Sequence, residues 1–336
     1  MEILEPQPEA SALALAPADT ASAIVDPAVV TPLVESAIGY AAEARSPRTR
    51  EAYGRQIVRF ETWCRGLGLD AMPALPGTVA IYIAACADEG LRPATISQGM
   101  SAITAAHRAR ALPSPCAHPQ VLEVWFGITR RLGLASAQKA PLATDELRAM
   151  IMTTSDGLLG ARDRALLTVG FAGGFRRSEL VALEVADVAF VHEGVEVTVR
   201  RSKTDQAGKG MVKVIAYGSD PATCPVRLLC AWLERAEVRG GGVFRAVDRH
   251  GGVGAGQLSA HAVAKIVKRA AQRAGLDPSS FSGHSLRAGF VTEAKKRGAD
   301  DAAIMDQTGH RSLEMLRRYH RRIRAWERPA SARLGL

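Results

Sequence analysis

The stretch TGHRSLEMLRRYHRR holds the residues most able to do chemistry. Tyr319 follows His310 by nine residues, and five arginines lie around the two side chains. A phenol with its ordinary pKa of about 10 is mostly protonated at neutral pH. It becomes a nucleophile where neighbouring cations favour the ionised form, and the same cations would bind a phosphate group. One interpretation is therefore attack by Tyr319 on a phosphate ester.

A competing interpretation places Tyr319 in the core of an amphipathic helix. Met315, Tyr319, Ile323 and Trp326 recur at helical spacing and would form one apolar face. Apolar stripes of this kind usually face a core. The stretch by itself leaves both interpretations open.

Three other stretches contain cations at spacings that suit a phosphate site. In GGFRRSEL, Arg176 and Glu179 would share a helix face, where the carboxylate could hold a guanidinium that forks onto a phosphate. In FSGHSLRAGF, His284 and Arg287 would begin a helix whose N–H groups attract anions. In RRSKTDQAGKG, Lys203 would lie in a loop that could deliver a proton. Each stretch also fits an ordinary role: a surface ion pair, a capping histidine or a solvated lysine.

The charge distribution indicates a polyanionic partner. The 336-residue chain has a formal net charge of +9. Its first 45 residues carry seven acids and one base, so the remaining residues carry +15. Each phosphate that Lys or Arg neutralises releases condensed counterions, which favours binding to nucleic acid. Charge alone does not decide the matter, because many basic proteins bind no nucleic acid.

Several other classes of protein are disfavoured. The five cysteines are scattered without a C-x-x-C pair, and no H-E-x-x-H cluster occurs, so we expect neither a metal site nor a cofactor. No apolar run approaches the roughly 18–20 residues that span a bilayer, and the acidic N-terminus is unlike a signal peptide. We therefore expect a soluble cytoplasmic protein without a membrane partner.

Two groups of elements must position these residues. Residues 1–30 predict a flexible acidic Ala/Pro-rich tail, residues 31–134 an all-α domain, residues 135–143 a linker and residues 144–336 a second domain. The helices expected in the first domain run from Thr31, as N-cap, to about Ala44, from Ser46 to Gly66 or Gly68, and over residues 77–88, 93–110 and 118–132. Their basic faces suit a module that lies on a DNA duplex.

The second domain is expected to be mainly helical, with a small antiparallel sheet. Thr144 is expected to cap its first helix, residues 161–172 a second one, and residues from His261 onward further helices. Two alternating segments flank a polar, glycine-bearing loop and predict a β-hairpin. The predicted pairing joins Val195, Val197 and Val199 to Val212, Val214 and Ala216.

Taken together, these stretches resemble the tyrosine site-specific recombinases, also called phage-type integrases. GGFRRSEL is similar to the family's first arginine box, SKTDQ to its hairpin lysine, GHSLR to its H-x-L-R box and TGHRSLEMLRRY to its G-H…Tyr box. FSGHS resembles the Cre-like members in particular. SPRTREAYGRQIVRFETWC and PATISQGMSAI resemble the core-binding domain, so the likeness covers about residues 46–326.

The resemblance implies strand cleavage through a 3′-phosphotyrosine intermediate, without metal or ATP. The implied roles are Tyr319 as nucleophile, Arg176 and Arg287 on the non-bridging oxygens, His284 as hydrogen-bond partner or proton acceptor of the tyrosine, His310 as hydrogen-bond donor to the phosphate, Lys203 as proton donor to the departing 5′ oxygen, and Glu179 as the residue that orients Arg176.

The resemblance also implies a fold and an assembly. The fold would be a mainly α, two-domain clamp, with an all-α SAM-like core-binding domain and a mixed α/β catalytic domain that is mostly α with a small antiparallel sheet. The partner would be a double-stranded DNA recombination site, bound by a dimer per site and a homotetramer on two sites. The candidate DNA-binding residues are Arg48, Arg50, Arg55, Arg92, Arg108, Lys265, Lys268 and Arg269.

Three alternatives stay open at this point. A type IB topoisomerase or telomere resolvase has similar catalytic groups but no exchange among four protomers, and the compact helical first domain disfavours it. A non-catalytic DNA-binding relative would lack some of the six catalytic side chains, and all six are present. A basic protein unrelated to DNA would match every box by coincidence. The Ala- and Arg-rich composition is typical of GC-rich bacteria and their mobile elements.

Overall fold

The computed structural model describes residues 27–134, 139–200, 210–310, 312–314 and 316. The chain divides into two compact units, residues 1–136 and 137–336. The described part of the first unit is all-α, and that of the second is mostly helical with two small antiparallel sheets. This confirms the expected mainly α fold class. No helix within these described ranges is both long enough and apolar enough to cross a membrane.

The described helices of the first unit all begin with a proline. Proline at the first helical position loses no hydrogen bond, because that N–H has no partner within a helix. At the second helix, Ser46 adds a cap, since its hydroxyl accepts a hydrogen bond from the Thr49 N–H at 3.2 Å. The helices are α1 (Pro27–Glu43), α2 (Pro47–Gly66), α3 (Pro76–Asp88), α4 (Pro93–Arg108) and α5 (Pro119–Leu132).

Aromatic side chains and one satisfied histidine hold the first core together. The rings of Phe60 and Tyr82 meet edge to face with centroids 4.9 Å apart. His107 is buried, with Nε2 2.9 Å from the Ala74 N–H and Nδ1 2.8 Å from the Ile103 carbonyl oxygen. Its polar atoms are therefore paired inside the core, which removes most of the cost of burying them.

α1 begins about one turn before the predicted start. The sequence placed Thr31 at the N-cap and Pro32 at the first helical position, but the helix starts at Pro27 and Pro32 lies inside it. Pro32 removes the backbone hydrogen bond that its N–H would have made one turn back. A proline this near the start of a helix therefore interrupts the backbone hydrogen bonding but does not mark the residue at which the helix begins.

The second unit combines helices with two antiparallel sheets. One sheet has the strand order β1-β2-β3, and the other is the hairpin β4-β5. The helices are α6 (Thr144–Met152), α7 (Leu158–Ala172), α8 (Arg177–Ala182), α9 (Pro225–Arg235), α10 (Ala260–Arg273), α11 (Gly283–Lys296) and α12 (Asp301–Thr308). The strands are β1 (Val188–Val191), β2 (Gly194–Val199), β3 (Met211–Ala216), β4 (Arg245–Val247) and β5 (Val253–Gln257).

Close backbone contact fixes α11 against α7. A side chain on Gly289 of α11 would meet the Leu142 carbonyl oxygen at 2.2 Å and the Phe171 ring at 2.7 Å. The Leu142 N–H also donates to the Ser285 carbonyl oxygen at 3.1 Å. Glycine thus lets α11 lie directly on the end of α7, which brings the start of α11 to the turn that follows α7.

The cap of α6 differs from the prediction by one residue. Ala143, and not Thr144, precedes the helix, so Glu146 becomes its third residue. The Glu146 carboxylate accepts a hydrogen bond from the Ala143 N–H at 2.8 Å. The Thr144 hydroxyl instead donates to the Glu293 carboxylate of α11 at 3.0 Å. A tertiary contact therefore engages the Thr144 side chain, which the sequence predicted would cap the helix.

The predicted β2–β3 hairpin is present, but its predicted register is wrong by one residue. Val197 lies opposite Lys213 and Val195 opposite Ile215, whereas Val212 and Val214 face solvent. A shift of one residue moves every side chain to the other face of the sheet. The inward face of β3 therefore carries a lysine.

Candidate active site

Arg176 lies in a turn that two glycines make possible. α7 ends at Ala172, Gly173 caps it, and Gly174 takes a left-handed conformation with φ of 56°. A side chain on Gly174 would also meet the Phe290 ring at 2.9 Å, so both conformation and space require glycine. The chain then passes through the buried Phe175 to Arg176, which precedes the first residue of α8.

Glu179 holds Arg176 at both its backbone and its side chain. One carboxylate oxygen accepts from the Arg176 backbone N–H at 2.9 Å, and the other accepts from Nη1 at 2.5 Å. The Glu179 side chain is 1% exposed, whereas that of Arg176 is 17% exposed. The guanidinium is thus held from the protein interior while part of it reaches the surface. The structure brings this predicted pair together.

Arg287 reaches the same turn from α11. Its side chain is buried, and Nη1 donates to the Gly174 carbonyl oxygen at 2.8 Å. Nη2 lies 3.1 Å from Nε2 of His310. Arg287 and Gly174 are 113 residues apart along the chain. Tertiary packing therefore joins three of the predicted boxes: the one around Arg176, the one that contains Arg287 and the one that begins with His310.

Hydrogen bonds assign the proton on His310. Gly309 ends α12 with φ of 68°, and His310 follows with Nδ1 2.8 Å from Thr308 Oγ1. The Thr308 hydroxyl donates its one hydrogen to the Ile304 carbonyl oxygen at 2.6 Å. Nδ1 must then carry the imidazole proton, and Nε2 accepts from Arg287. In this arrangement His310 supports the guanidinium of Arg287.

The surroundings keep both histidines neutral at pH 7. Burial, followed by the charges of Arg287 and Arg176, lowers the pKa of His310 to about 4. His284 lies in the first turn of α11, and desolvation, followed by the charges of Arg287, Arg177 and Arg176, lowers its pKa as well. Each imidazole therefore keeps one unprotonated nitrogen, which can accept a hydrogen bond or a proton.

A third cation, Lys213 of β3, lies against the same turn. It is fully buried, and its Nζ donates to the carbonyl oxygens of Gly173 at 2.9 Å and Gln307 at 2.5 Å. The ammonium group also lies 4.7 Å from the centroid of the Phe175 ring. Sequence reasoning missed this residue, because the predicted hairpin pairing aligned Val212 and Val214, and not Lys213, with the inward valines of β2.

Burial has a large effect on this lysine. It lowers the pKa of Lys213 to about 7, with Arg287 and Arg176 acting in the same direction and Glu179 opposing them. The group therefore titrates near neutral pH, several units below an ordinary lysine. The pKa shift and the two hydrogen bonds link Lys213 to the groups that surround Arg176.

Two of the six predicted catalytic residues cannot be placed. Lys203 and Tyr319 lie outside the described residues, as do Met315, Ile323 and Trp326 of the alternative apolar face. Of the others, the structure brings Arg176, Arg287 and His310 together, with His284 near enough for their charges to act on it. Across the residues that are described, His, Cys, Asp and Glu side chains form no group of three that could hold a metal ion.

The eight candidate DNA-binding residues are all exposed. Arg55 forms an ion pair with Glu51, and Nη2 of Arg269 lies 3.9 Å from Asp163. In the first unit the candidates are Arg48, Arg50 and Arg55 on α2 and Arg92 and Arg108 at the two ends of α4, and in the second unit they are Lys265, Lys268 and Arg269 on α10.

The sequence model of the phage integrase family matches residues 141–324. The chain belongs to this family. An integrase/recombinase xerD homolog from Selenomonas ruminantium is 36% identical over 281 residues, which cover 82% of each chain. The chain is thus a site-specific tyrosine recombinase, an enzyme that cleaves and rejoins DNA strands, and the family resemblance seen in its sequence is confirmed.

Solved structures of two other integrases share its fold. The Tn1549 transposon integrase in complex with transposon right-end DNA has a TM-score of 0.60 and 15% identity, over 82% of this chain and 90% of that one. A lambda integrase tetramer bound to a Holliday junction has a TM-score of 0.57 and 19% identity, over 87% of this chain and 76% of that one. The buried Lys213 and the Thr308–His310 contact are features of this recombinase that sequence reasoning did not single out.

Proposed function

We propose that Tyr319 of this recombinase attacks a DNA phosphodiester whose non-bridging oxygens are bound by Arg176 and Arg287. The convergence of these arginines on one turn, with Arg287 bonded to a carbonyl 113 residues away, carries the proposal. A phosphodiester is anionic and repels a phenolate. Guanidinium groups that are held in place before the reaction offset the negative charge of the transition state without reorganising.

The proposed cleavage step balances without a cofactor. The Tyr319 oxygen bonds to phosphorus, and the bond between phosphorus and the 5′ oxygen breaks. The phenol proton passes to His284, whose lowered pKa leaves a ring nitrogen unprotonated at pH 7. Lys203 donates a proton to the departing 5′ oxygen. The products are a 3′-phosphotyrosine and a 5′-hydroxyl, and attack by a 5′-hydroxyl rejoins a strand without ATP.

His310 is proposed to donate a hydrogen bond to the bound phosphate. Nε2 can donate only in the other imidazole tautomer, in which Nδ1 has released its proton to solvent and Nε2 has taken one up from solvent. The Thr308 hydroxyl then rotates from the Ile304 carbonyl and donates to Nδ1, which stabilises this tautomer. The Nη2 group of Arg287, which lies 3.1 Å from Nε2, would then turn to the phosphate. This change of tautomer thus converts a contact within the protein into two contacts with DNA.

The proposal includes an assembly and a division of labour. Residues 31–134 form the core-binding domain and 144–336 the catalytic domain, joined by 135–143 and preceded by the tail 1–30. A dimer occupies each recombination site and a homotetramer brings two sites together, as supported by the tetramer of the related lambda integrase. The DNA contacts come from Arg48, Arg50, Arg55, Arg92, Arg108, Lys265, Lys268 and Arg269, all of them exposed.

The setting is proposed to be the bacterial cytoplasm, in contact with the nucleoid, where the enzyme moves a mobile element. The xerD homolog comes from a bacterium, and the body of the chain is strongly basic. A basic surface favours residence on DNA through counterion release.

A nicked suicide substrate tests the chemistry, because loss of a short 5′-hydroxyl fragment after cleavage traps the covalent adduct. We expect an adduct in the presence of EDTA, and none with Tyr319→Phe, which should still bind the site. An adduct formed by Tyr319→Phe, or cleavage that depends on a divalent metal, would contradict the proposal. The mass of the complex on paired sites tests the tetramer.

A further inference from the structure

We infer that Lys213 is a positioning residue for strand cleavage, whose ammonium group joins the chain segments that lead to Arg176 and His310 and so fixes the separation of the groups that bind the phosphate. This inference rests on the proposed function. The amount of covalent adduct that each Lys213 variant forms is therefore compared with the amount that the wild type forms.

Lys213 occupies a position that an aliphatic side chain would fill at lower cost. Along β3, Lys213 and Ile215 are buried, and Val212 and Val214 alternate with them on the exposed face. Taking an ammonium group out of water is expensive unless good acceptors replace the solvent. A lysine at this position therefore requires specific acceptors around it.

Those acceptors are backbone carbonyls at two helix ends. Gly173 follows the last residue of α7, and Gln307 lies in the last turn of α12. The last carbonyls of a helix lack partners within it and carry the negative end of its dipole. The Phe175 ring adds a cation–π contact. The ammonium group of Lys213 thus satisfies two helix ends at once, and we name Lys213, Gly173 and Gln307 the junction.

The Gln307 side chain provides a second link between the same three elements. The Gln307 side-chain amide donates to the Val214 carbonyl oxygen of β3 at 3.0 Å, and the same nitrogen lies 3.4 Å from the Ala172 carbonyl oxygen. β3, the end of α7 and the end of α12 are therefore joined both by a side chain from the strand and by a side chain from a helix. This double link makes the junction a defined structural point.

From the junction the chain leads at once to the groups that face the phosphate. Gly173 is followed by Gly174, whose carbonyl oxygen binds Arg287. Gln307 is followed by residues 308–310, which end in the histidine that contacts Arg287. A displacement of about 1 Å at a reacting group can slow a reaction about 100-fold. Loss of the ammonium tie would let both helix ends move.

Lys213 does not act as the proton donor to the leaving group. Its side chain is fully buried, and its N–H groups are directed at two carbonyl oxygens. A general acid must come within hydrogen-bond reach of the oxygen that it protonates. That role stays with Lys203 in the proposed mechanism.

Two variants of matched length test the inference. Lys213→Met removes the donor, whereas Lys213→Gln keeps two N–H donors that can serve the two carbonyls. We expect single-turnover cleavage of the suicide substrate to fall about 100-fold with Met and about 10-fold with Gln, while the affinity for the site changes less than twofold. Val212→Met, on the exposed face of β3, is the control and should cleave at the wild-type rate.

A double-variant cycle and a modified substrate exclude a purely structural role. Added to Arg287→Ala, Lys213→Met should slow cleavage less than about threefold further, since both segments that leave the junction contact Arg287, through the Gly174 carbonyl and through His310. A 5′-bridging phosphorothiolate, whose thiolate leaves without protonation, should restore Lys203→Ala but not Lys213→Met. The inference would be overturned if this substrate restored cleavage by Lys213→Met, or if Lys213→Met cleaved the ordinary substrate at the wild-type rate. Absence of any wild-type adduct would instead overturn the proposed function.

Discussion

Two buried clusters of charge in the second unit differ in what balances them. In one, Arg162 donates through Nε at 2.9 Å and through Nη2 at 2.6 Å to one carboxylate oxygen of Asp163, and both residues are almost fully buried. Arg269 and Arg273 each approach the other carboxylate oxygen at 3.9 Å. The Asp163 carboxylate therefore balances the buried Arg162, whereas Arg269 and Arg273 are partly exposed to solvent.

The other cluster lies around the turn after α7. In this cluster Arg176 binds the Glu179 carboxylate, Arg287 binds the Gly174 carbonyl oxygen and the His310 imidazole, and Lys213 binds two carbonyl oxygens. Carbonyl dipoles position a cation without neutralising it. The comparison distinguishes a structural ion pair from the proposed phosphate site, where we expect the ligand to supply further negative charge.

The largest effect is expected at the balanced cluster. Asp163→Asn leaves the buried Arg162 without its anion and should lower the free energy of unfolding by about 3–5 kcal/mol, as measured by urea denaturation. Cleavage per folded molecule should stay within about twofold of the wild type. A loss below about 1 kcal/mol would show that the two clusters do not differ in this way.

At the proposed phosphate site the effect of a substitution should fall on the rate of cleavage. Arg287→Ala is expected to slow single-turnover cleavage by at least about 100-fold, because one guanidinium that stabilises the transition state is lost. Site affinity should fall much less, since many other phosphate contacts remain. Arg273→Ala, which changes a partly exposed arginine of the balanced cluster, serves as the control. Equal losses of cleavage in both variants would contradict the assignment.

Acid should add a charge to the second cluster alone. His310 has a pKa of about 4 when folded and about 6.5 when unfolded, so the unfolded chain binds more protons between these values. The contribution of His310 to stability is fully present above pH 6.5 and is lost as the pH falls toward 4, by at most about 3 kcal/mol. Denaturation at several pH values should show this slope.

In the same titration, His310→Gln should reduce the slope without abolishing it. His284 also has a lowered pKa, so it continues to take up protons on unfolding in this variant. A slope unchanged by His310→Gln would mean that His310 is not buried in its neutral form.

The smallest effect is expected at Thr308. Thr308→Val keeps the shape of this buried residue but removes the oxygen that binds His310 Nδ1, so cleavage should fall about tenfold, the value of one buried hydrogen bond. Thr308→Ser keeps the hydroxyl and should retain most of the wild-type rate. If both variants cleave equally well, the hydroxyl does not set the tautomer of His310.

Much of the fold followed from local patterns. Prolines and apolar periods predicted α2 to α5 to within a few residues, because such signals depend on neighbours within one turn. The same dependence on local pattern explains why the inward face of β3 was predicted wrongly. Val212 and Val214 alternate as regularly as Met211 and Ile215 do, so a period of two cannot choose the face. The acceptors that bury Lys213 lie on other elements.

By itself, the sequence determined the family, the chemistry and the order of the boxes, since side-chain types and short spacings decide which groups can attack, donate or hold a phosphate. The tertiary structure alone decided that Arg287 meets the Gly174 carbonyl, that His310 accepts from Arg287 and that Lys213 lies inside. These contacts join residues far apart along the chain, and their energies depend on burial and on acceptors at helix ends, which exist only once the elements have packed.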